Sequence, residues 1–196
     1  MKKVHFIWAH PRTDSLTAQV VNSMKNHAEK NGLMVSELDL YRANFNPTLY
    51  EIDEPRWNDP NYQYSEEVKD LFENLKGNDT LFIVFPVWWY SFPAILKGYI
   101  DRVWNYGLAY GDGNKLPIDK IRWIALTGDV QESFERRGND KHIKHLVIDS
   151  LSSYCGVKNA EVKFLYDTIG FEGERGQDHF DDLLKQANEV VEEILD

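Results

Sequence analysis

The chain has 196 residues, 42% of them hydrophobic and 28% charged, with a formal net charge of −10. That length suits one folded domain with a sizeable core, and the acidic balance argues against binding a nucleic-acid backbone or docking on an anionic membrane. The single cysteine, Cys155, removes intrachain disulfides, zinc knuckles and CxxC redox pairs, and a cytoplasmic location is expected because Met1 to His10 holds too short an apolar stretch for a signal peptide.

Strand-like and helix-like segments then alternate. Val4–Ala9 is apolar and β-rich, and from Ser15 to Asn31 the residues Leu16, Val20, Met24 and Ala28 recur at helical spacing before Gly32 ends the run. Leu33–Leu40 alternates as a strand, and Ser65–Lys76 is helical with Val68, Leu71, Phe72 and Leu75 on one face. The run Thr80–Phe85 predicts a buried strand that feeds a helix beginning near Ser91. Ile121–Thr127 is the fourth strand, followed by a helix near Lys141–Cys155, and Ala160–Tyr166 is the fifth, followed by an amphipathic helix over Asp178–Leu195.

Five strands alternating with five helices predict an α/β doubly wound parallel sheet with helices on both faces. At this size the flavodoxin-like strand order 2-1-3-4-5 is the natural choice, and residues 1–196 are expected to form one such domain. Two stretches break the rhythm. Arg42–Tyr64 is too long for an ordinary connection and is expected to be functional, and Thr168–Gln177, with three glycines, is expected to flap over a site.

The most informative block is Phe85-Pro-Val-Trp-Trp-Tyr-Ser-Phe-Pro-Ala-Ile-Leu-Lys-Gly98. Pro86 and Pro93 fit a strand–turn–helix far better than a membrane-spanning helix. Trp88, Trp89 and Tyr90 fall in the turn beyond the carboxyl end of the third strand, where ligands bind in open parallel sheets. Consecutive residues cannot all face one interior, so three aromatics in a row point to a slot for a planar, conjugated ring. After the first strand, His10-Pro-Arg-Thr-Asp-Ser-Leu-Thr17 offers hydroxyls around a helix start. Free N–H groups and the positive dipole end make an anion site there, although the bare pattern also fits a simple N-cap by Asp14 or Ser15. The two loops flank the switch point of a flavodoxin-like sheet, so a phosphate and a ring would share one crevice.

Together these pieces resemble the NAD(P)H:quinone oxidoreductase family, the flavodoxin-like group that includes vertebrate quinone reductases and short bacterial NAD(P)H oxidoreductases. The likeness covers nearly the whole chain and extends to Asp39-Leu-Tyr41, Asn44-Phe-Asn-Pro47 and Cys155-Gly156. It implies that His10 and Ser15 hold the flavin phosphates, with Leu16 and Thr17 at the ligand. It implies that Gln63 meets the adenine side of FAD, that Pro86 belongs to the flavin site, and that Val87, Trp88, Trp89 and Tyr90 line the isoalloxazine. Thr127, Gly128 and Asp129 would form the next flavin loop. Trp89, Tyr110 and Gly128 are then the catalytic candidates, with Tyr110 closing the pocket from the neighbouring subunit of a homodimer.

The departures concern the loop after the fourth strand. The family's Thr-Gly-Gly is Thr127-Gly128-Asp129 here, its tyrosine aligns with Phe134, and its histidine aligns with Asp140. A reduced flavin gains negative charge at its N1/O2 edge, and donors aimed there stabilise it. Losing one such donor costs roughly 1.5–3 kcal/mol, and an ionised Asp129 would oppose the same charge, while the N–H groups of Gly128 and Asp129 could still serve.

The resemblance therefore implies flavin binding (FAD, with FMN as the alternative), NAD(P)H as electron donor, and a quinone or similar small acceptor. A second implication is a regulatory one: similar bacterial proteins are ancillary subunits of glutathione-gated potassium efflux systems, with a membrane transporter as partner. His142 and His145 at i,i+3 read as a solvated helix face, and no metal site is expected. Arg136 and Arg137 could meet an NADPH 2′-phosphate, although exposed loop arginines usually serve no ligand.

Overall fold

The computed structural model describes residues 1–57, 59, 61–169 and 176–195. Five strands, β1 (Lys3–Trp8), β2 (Met34–Asp39), β3 (Thr80–Pro86), β4 (Lys120–Leu126) and β5 (Asn159–Leu165), form one sheet in the order β2-β1-β3-β4-β5. Every pairing is parallel, as the alternation of segments predicts. The central strands are apolar on both faces because helices cover both: all of β3 is buried, whereas β2 at the edge is half exposed.

Helices α1 (Leu16–Lys30) and α6 (Gln177–Glu192) cover one face, where Phe6, Trp8, Val20, Met24, Phe82, Ile124, Leu183 and Val190 form one core layer. On the other face a second layer joins Ile7, Ile83, Phe85, Tyr99, Trp104, Trp123, Phe134 and Ile143. That face is built from α2 (Glu66–Glu73), α3 (Ala94–Val103), α4 (Gln131–Arg136) and α5 (Asn139–Lys144). Register fixes which side chains meet: Phe6 lies opposite Phe82, and their rings stack with centroids 4.6 Å apart.

Three elements differ from expectation. The helix expected near Ser91 starts at Ala94, because Trp88–Ser91 closes a tight turn and Pro93 takes the N-cap. The segment after β4 holds an extra short helix, α4, which Gly138 at φ 73° separates from α5. Beyond α5 the chain winds in wide π-type turns over His145–Ser153. There the buried Ser152 hydroxyl donates to the Val147 carbonyl at 2.6 Å and accepts from Trp123 Nε1 at 3.0 Å, and a side chain inserted into the ladder in this way widens a helix. Of the glycine-rich stretch expected to flap over a site, residues 170–175 lie outside the described residues.

The long connection 42–64 is stapled down by a network the sequence pattern did not announce. Arg102 on α3 donates from Nε and Nη2 to Asp53 Oδ2 at 3.1 and 2.8 Å, from Nη2 to Glu67 at 2.7 Å, and from Nη1 to the Asn46 carbonyl at 2.6 Å. Asp53 is fully buried; its other oxygen accepts from the N–H of Ser65, the N-cap of α2, at 2.9 Å. Burial alone would lower the Arg102 pKa, but the bonds to Asp53 and Glu67 hold it above the ordinary value. Gly98 is required by the same packing: a Cβ there would lie 2.3 Å from the Pro47 carbonyl oxygen.

Candidate functional site

The carboxyl ends of β1, β3, β4 and β5 open into one crevice. Beyond the strands the ladder continues: Ala9 N–H donates to Val84 at 3.3 Å, Val87 to Leu126 at 2.7 Å, Thr127 to Leu165 at 2.9 Å, and Asp167 to Asp129 at 3.0 Å. Each of the four loops therefore leaves the sheet already tied to a neighbouring strand or loop.

Two cavities share this end of the sheet. The smaller, about 270 Å³, is lined by His10, Arg12, Ser15, Leu16, Thr17, Pro86 and Trp88 among others. The larger, about 690 Å³, is lined by Trp89, Tyr90, Thr127, Asp129, Ser133 and Arg137 among others. Both include Val87, Gly128 and Ile169, so they are two lobes of one crevice across the switch point of the sheet.

The small lobe sits at the start of α1. The Ser15 hydroxyl donates to the Arg12 carbonyl at 3.0 Å and accepts from Ala18 N–H at 3.2 Å. Ser15 is thus the N-cap, and its hydroxyl is occupied in both senses. Helix geometry leaves the N–H groups of Leu16 and Thr17 without an intrahelical acceptor, and both residues line the lobe. The dipole makes that end favourable to an anion. His10 Nδ1 accepts the Arg12 N–H at 3.1 Å, which puts the proton of a neutral ring on Nε2. Burial pulls the His10 pKa below its ordinary value, so the neutral ring is the form at pH 7. The loop is braced from β2 by Arg42, which donates to the carbonyls of His10 and Pro11 at 2.6 and 2.9 Å and to Asp39 at 2.6 Å. Arg12 on the lobe wall and Arg42 behind it were not singled out from the sequence; lone arginines in a loop carry no pattern.

The aromatic block does not make one flat wall. Trp88 and Ser91 exchange backbone hydrogen bonds of 3.1 and 3.0 Å around a two-residue turn. Trp89 and Tyr90 occupy its centre with φ of 49° and 58°. Two successive residues at positive φ define a type I′ turn, the place of Asn-Gly, and for bulky side chains each costs about 1–3 kcal/mol. The turn splits the aromatics: Trp88 meets the His10 ring edge at 5.9 Å in the small lobe, Tyr90 packs on Phe134 at 6.2 Å in the large one, and Trp89 stands at the tip, 96% exposed.

The loop after β4 supplies the opposite wall. Thr127 is buried and its hydroxyl oxygen accepts Asp129 N–H at 3.3 Å, so that N–H, expected to serve a ligand, is already engaged. Asp129 does not stand as a bare anion: Arg137 Nη1 lies 3.4 Å from its Oδ2 and 3.3 Å from the Tyr90 hydroxyl. Phe134 is fully buried among Tyr90, Phe164 and Tyr166 and brings no donor. Asp140 Oδ1 is buried and meets no donor among the described residues. Burial, then Glu135 and Asp140, push the Tyr166 hydroxyl up to about 12.

Two predicted residues stand elsewhere within one chain. Gln63 lines a separate cavity of about 240 Å³ with Arg56, Tyr62 and Tyr106. Tyr110 lines another, of about 380 Å³, with Trp104 and Tyr154. His142 and His145 are exposed, and among the described residues no group of three ligating side chains could hold a metal. Cys155 is buried, and burial pushes its thiol up to about 11. No described helix is long and apolar enough to cross a membrane.

Comparison with known proteins gives concordant matches. The model of a family described as having a flavodoxin-like fold matches residues 2–191. The Escherichia coli (strain K12) protein named "Uncharacterized NAD(P)H oxidoreductase YcaK" is 47% identical over 194 residues, covering 98% of each chain. Among solved structures, an NAD(P)H:quinone oxidoreductase from Methanothermobacter marburgensis superposes with a TM-score of 0.88 at 25% identity, over 97% of this chain and 95% of that one. An FMN-dependent NADH-azoreductase from Bacillus anthracis in complex with FMN shares the fold, with a TM-score of 0.75 at 16% identity and full coverage of both chains (100% and 100%).

Proposed function

The chain belongs to the flavodoxin-like fold family and, within it, to the NAD(P)H oxidoreductases, and from that premise we propose that it is a flavin-dependent enzyme passing hydride from NAD(P)H to a quinone or similar small acceptor. The observation that carries this reading is the continuity of the crevice. An anion-seeking helix start and a lobe large enough for a fused ring meet at Val87, Gly128 and Ile169.

The residues present fit a flavin. The N–H groups of Leu16 and Thr17 and the Nε2–H of His10 are donors suited to phosphate, and the large lobe combines apolar walls with the polar edge of Thr127, Gly128 and Asp129. When bound, the flavin supplies the hydride-accepting ring. The chain's part is to fix the ring against Val87 and Tyr90, to shed water from that face, and to hold the phosphate at the start of α1. Trp89, free at the tip of its turn, is the side chain that closes over a bound acceptor or donor.

FAD is the finer reading, and it requires Gln63 to reach the adenine from a neighbouring subunit, because within one chain Gln63 lies in its own cavity. FMN makes no such demand. Tyr110 carries the same requirement, so both favour a homodimer. The exposed Leu49 and Tyr154, which line the Tyr110 cavity, support that assembly. The single buried thiol suits a cytoplasmic compartment. The regulatory reading, with a membrane transporter as partner, gains no support from the relatives described above.

The test is an anaerobic NADPH titration of the purified protein, loaded with FMN or FAD and followed by flavin absorbance. Stoichiometric bleaching, reversed by a quinone, is the expected result; bound flavin that NADPH and NADH both leave oxidised would overturn the enzymatic reading. Mass analysis of the flavin released from native protein separates FAD from FMN.

A further inference from the structure

The large lobe has a charged lining of two acids and two arginines, and their pairing is unequal. Arg136 lies 3.7 Å from Glu132 on the same helix, with both side chains mostly in water. Arg137 lies on Asp129, whose side chain is only 27% exposed and follows Gly128 directly at the end of β4. Asp129 is therefore the acid most able to load the lobe with negative charge. Its Oδ1 accepts the Val130 N–H at 3.1 Å at the start of α4, which fixes the carboxylate at the mouth of the lobe. A flavin held against Val87, Tyr90 and Gly128 would gain negative charge beside that carboxylate on two-electron reduction by its donor. Unrelieved, the two like charges would oppose reduction.

Arg137 is built to relieve them. Its Nη1 is engaged by Asp129 and Tyr90, at 3.4 and 3.3 Å. Among the described residues its Nε and Nη2 make no hydrogen bond, which leaves three N–H donors of the guanidinium fork for a ligand on the lobe side. Phe134, three residues earlier, is sealed in the core and offers no donor. Asp140 is a second acid rather than a donor. The cation that the lobe needs thus comes from the end of α4, oriented by Asp129 and the Tyr90 hydroxyl.

We propose that Arg137 sets the charge of the ring lobe in this chain, compensating both Asp129 and the negative charge that the ring acquires on two-electron reduction. The inference rests on the flavin reading above and adds to it the residue that tunes the flavin's potential.

The experiment is the two-electron midpoint potential of the flavin-loaded protein, measured by dye equilibration for wild type, Arg137→Gln, Arg137→Lys, Arg136→Gln and Asp129→Asn. Arg137→Gln is expected to shift the reduction equilibrium about tenfold toward the oxidised form, a potential about 30 mV lower. Arg137→Lys keeps the charge and is expected to stay near wild type. Asp129→Asn is expected to raise the potential, and Arg136→Gln to move it far less than Arg137→Gln. An unchanged potential in Arg137→Gln, with KM raised for NADPH but not for NADH, would assign Arg137 to the donor's 2′-phosphate and overturn the proposal. Equal shifts in the two arginine variants would overturn it as well, since the effect would then be a diffuse surface field. Should Arg137→Gln fail to fold, a potential unchanged in Asp129→Asn sinks the proposal. A wild-type protein that binds no flavin removes the functional reading itself and this inference with it, an outcome separate from a flavoprotein whose potential ignores Arg137.

Discussion

In the connection between β2 and α2, a buried guanidinium and a buried carboxylate close a network that pins an irregular chain to two helices. In the turn after β3, two large aromatics are instead held at positive φ with one of them almost wholly in water. Both stretches are irregular and rich in aromatic residues, yet the first satisfies its buried groups and the second holds strain. Arg102 reaches Asp53, Glu67 and Asn46 together, so the connection has one arrangement that satisfies its buried groups. Trp88–Ser91 is closed by its two backbone bonds and the packing of Trp88 and Tyr90, and its central residues are ones that type I′ geometry disfavours. Strain of this kind collects at ligand clamps. On the proposed function, the connection is scaffold and the turn is working part.

The largest effect should come from breaking the scaffold. Arg102→Met leaves Asp53, which is fully buried, without its cation. Removing one partner of a buried pair costs about 3–5 kcal/mol, so urea unfolding should show an unfolding free energy lowered by that amount, with the midpoint falling in proportion. A loss below about 1 kcal/mol would mean that water already reaches Asp53. Gly98→Ala attacks the same seam by volume. The added methyl meets the Pro47 carbonyl oxygen, Cβ and Cα at 2.3, 2.4 and 2.5 Å, backbone and ring atoms that cannot swing aside, so a loss of about 2 kcal/mol is expected.

The turn should respond with the opposite sign. Replacing Trp89 and Tyr90 by Asn and Gly together installs the pair that type I′ geometry prefers. Relief of the backbone is expected to raise stability by about 1–2 kcal/mol in the same unfolding assay, while flavin affinity falls with the loss of Tyr90 from the lobe. Gain in one quantity against loss in the other is the signature of a strained working part. If both fell, the turn would be an ordinary packing element.

How far these regions could be read in the chain follows from what carries them. The sheet order and both lobe-forming loops were legible because period, length and turn residues are local signals: Thr80–Phe85 is continuously apolar, and Pro86 and Pro93 bracket the turn. The long connection was legible only as an interruption. Asp53, Glu67 and Arg102 lie far apart in sequence and look like any surface charges until topology brings them together. The same is true of Arg42 and Arg137, whose roles depend on a loop and a carboxylate from other elements. Asp129 was legible as a charge in the loop after β4, but not as a paired one. Gln63 and Tyr110, assigned from the family resemblance, stand in separate cavities because one chain does not bring them to the crevice.

The smallest effect separates the backbone of the turn from its chemistry. Tyr90→Phe keeps the ring on Phe134 and keeps φ at 90 in the left-handed region, so the stored strain is untouched. What goes is one long contact of 3.3 Å between the hydroxyl and Arg137, with both side chains well exposed, and an exposed bond of this kind contributes about 0.5 kcal/mol or less. Stability should therefore be indistinguishable from wild type, unlike the Asn-Gly replacement. The flavin potential should drop slightly, because Arg137 loses one of the two groups that orient it toward the ring lobe. A stability gain equal to that of the Asn-Gly turn would locate the strain in the tyrosine hydroxyl's surroundings and not in the backbone, and the contrast between scaffold and working part would then have to be redrawn.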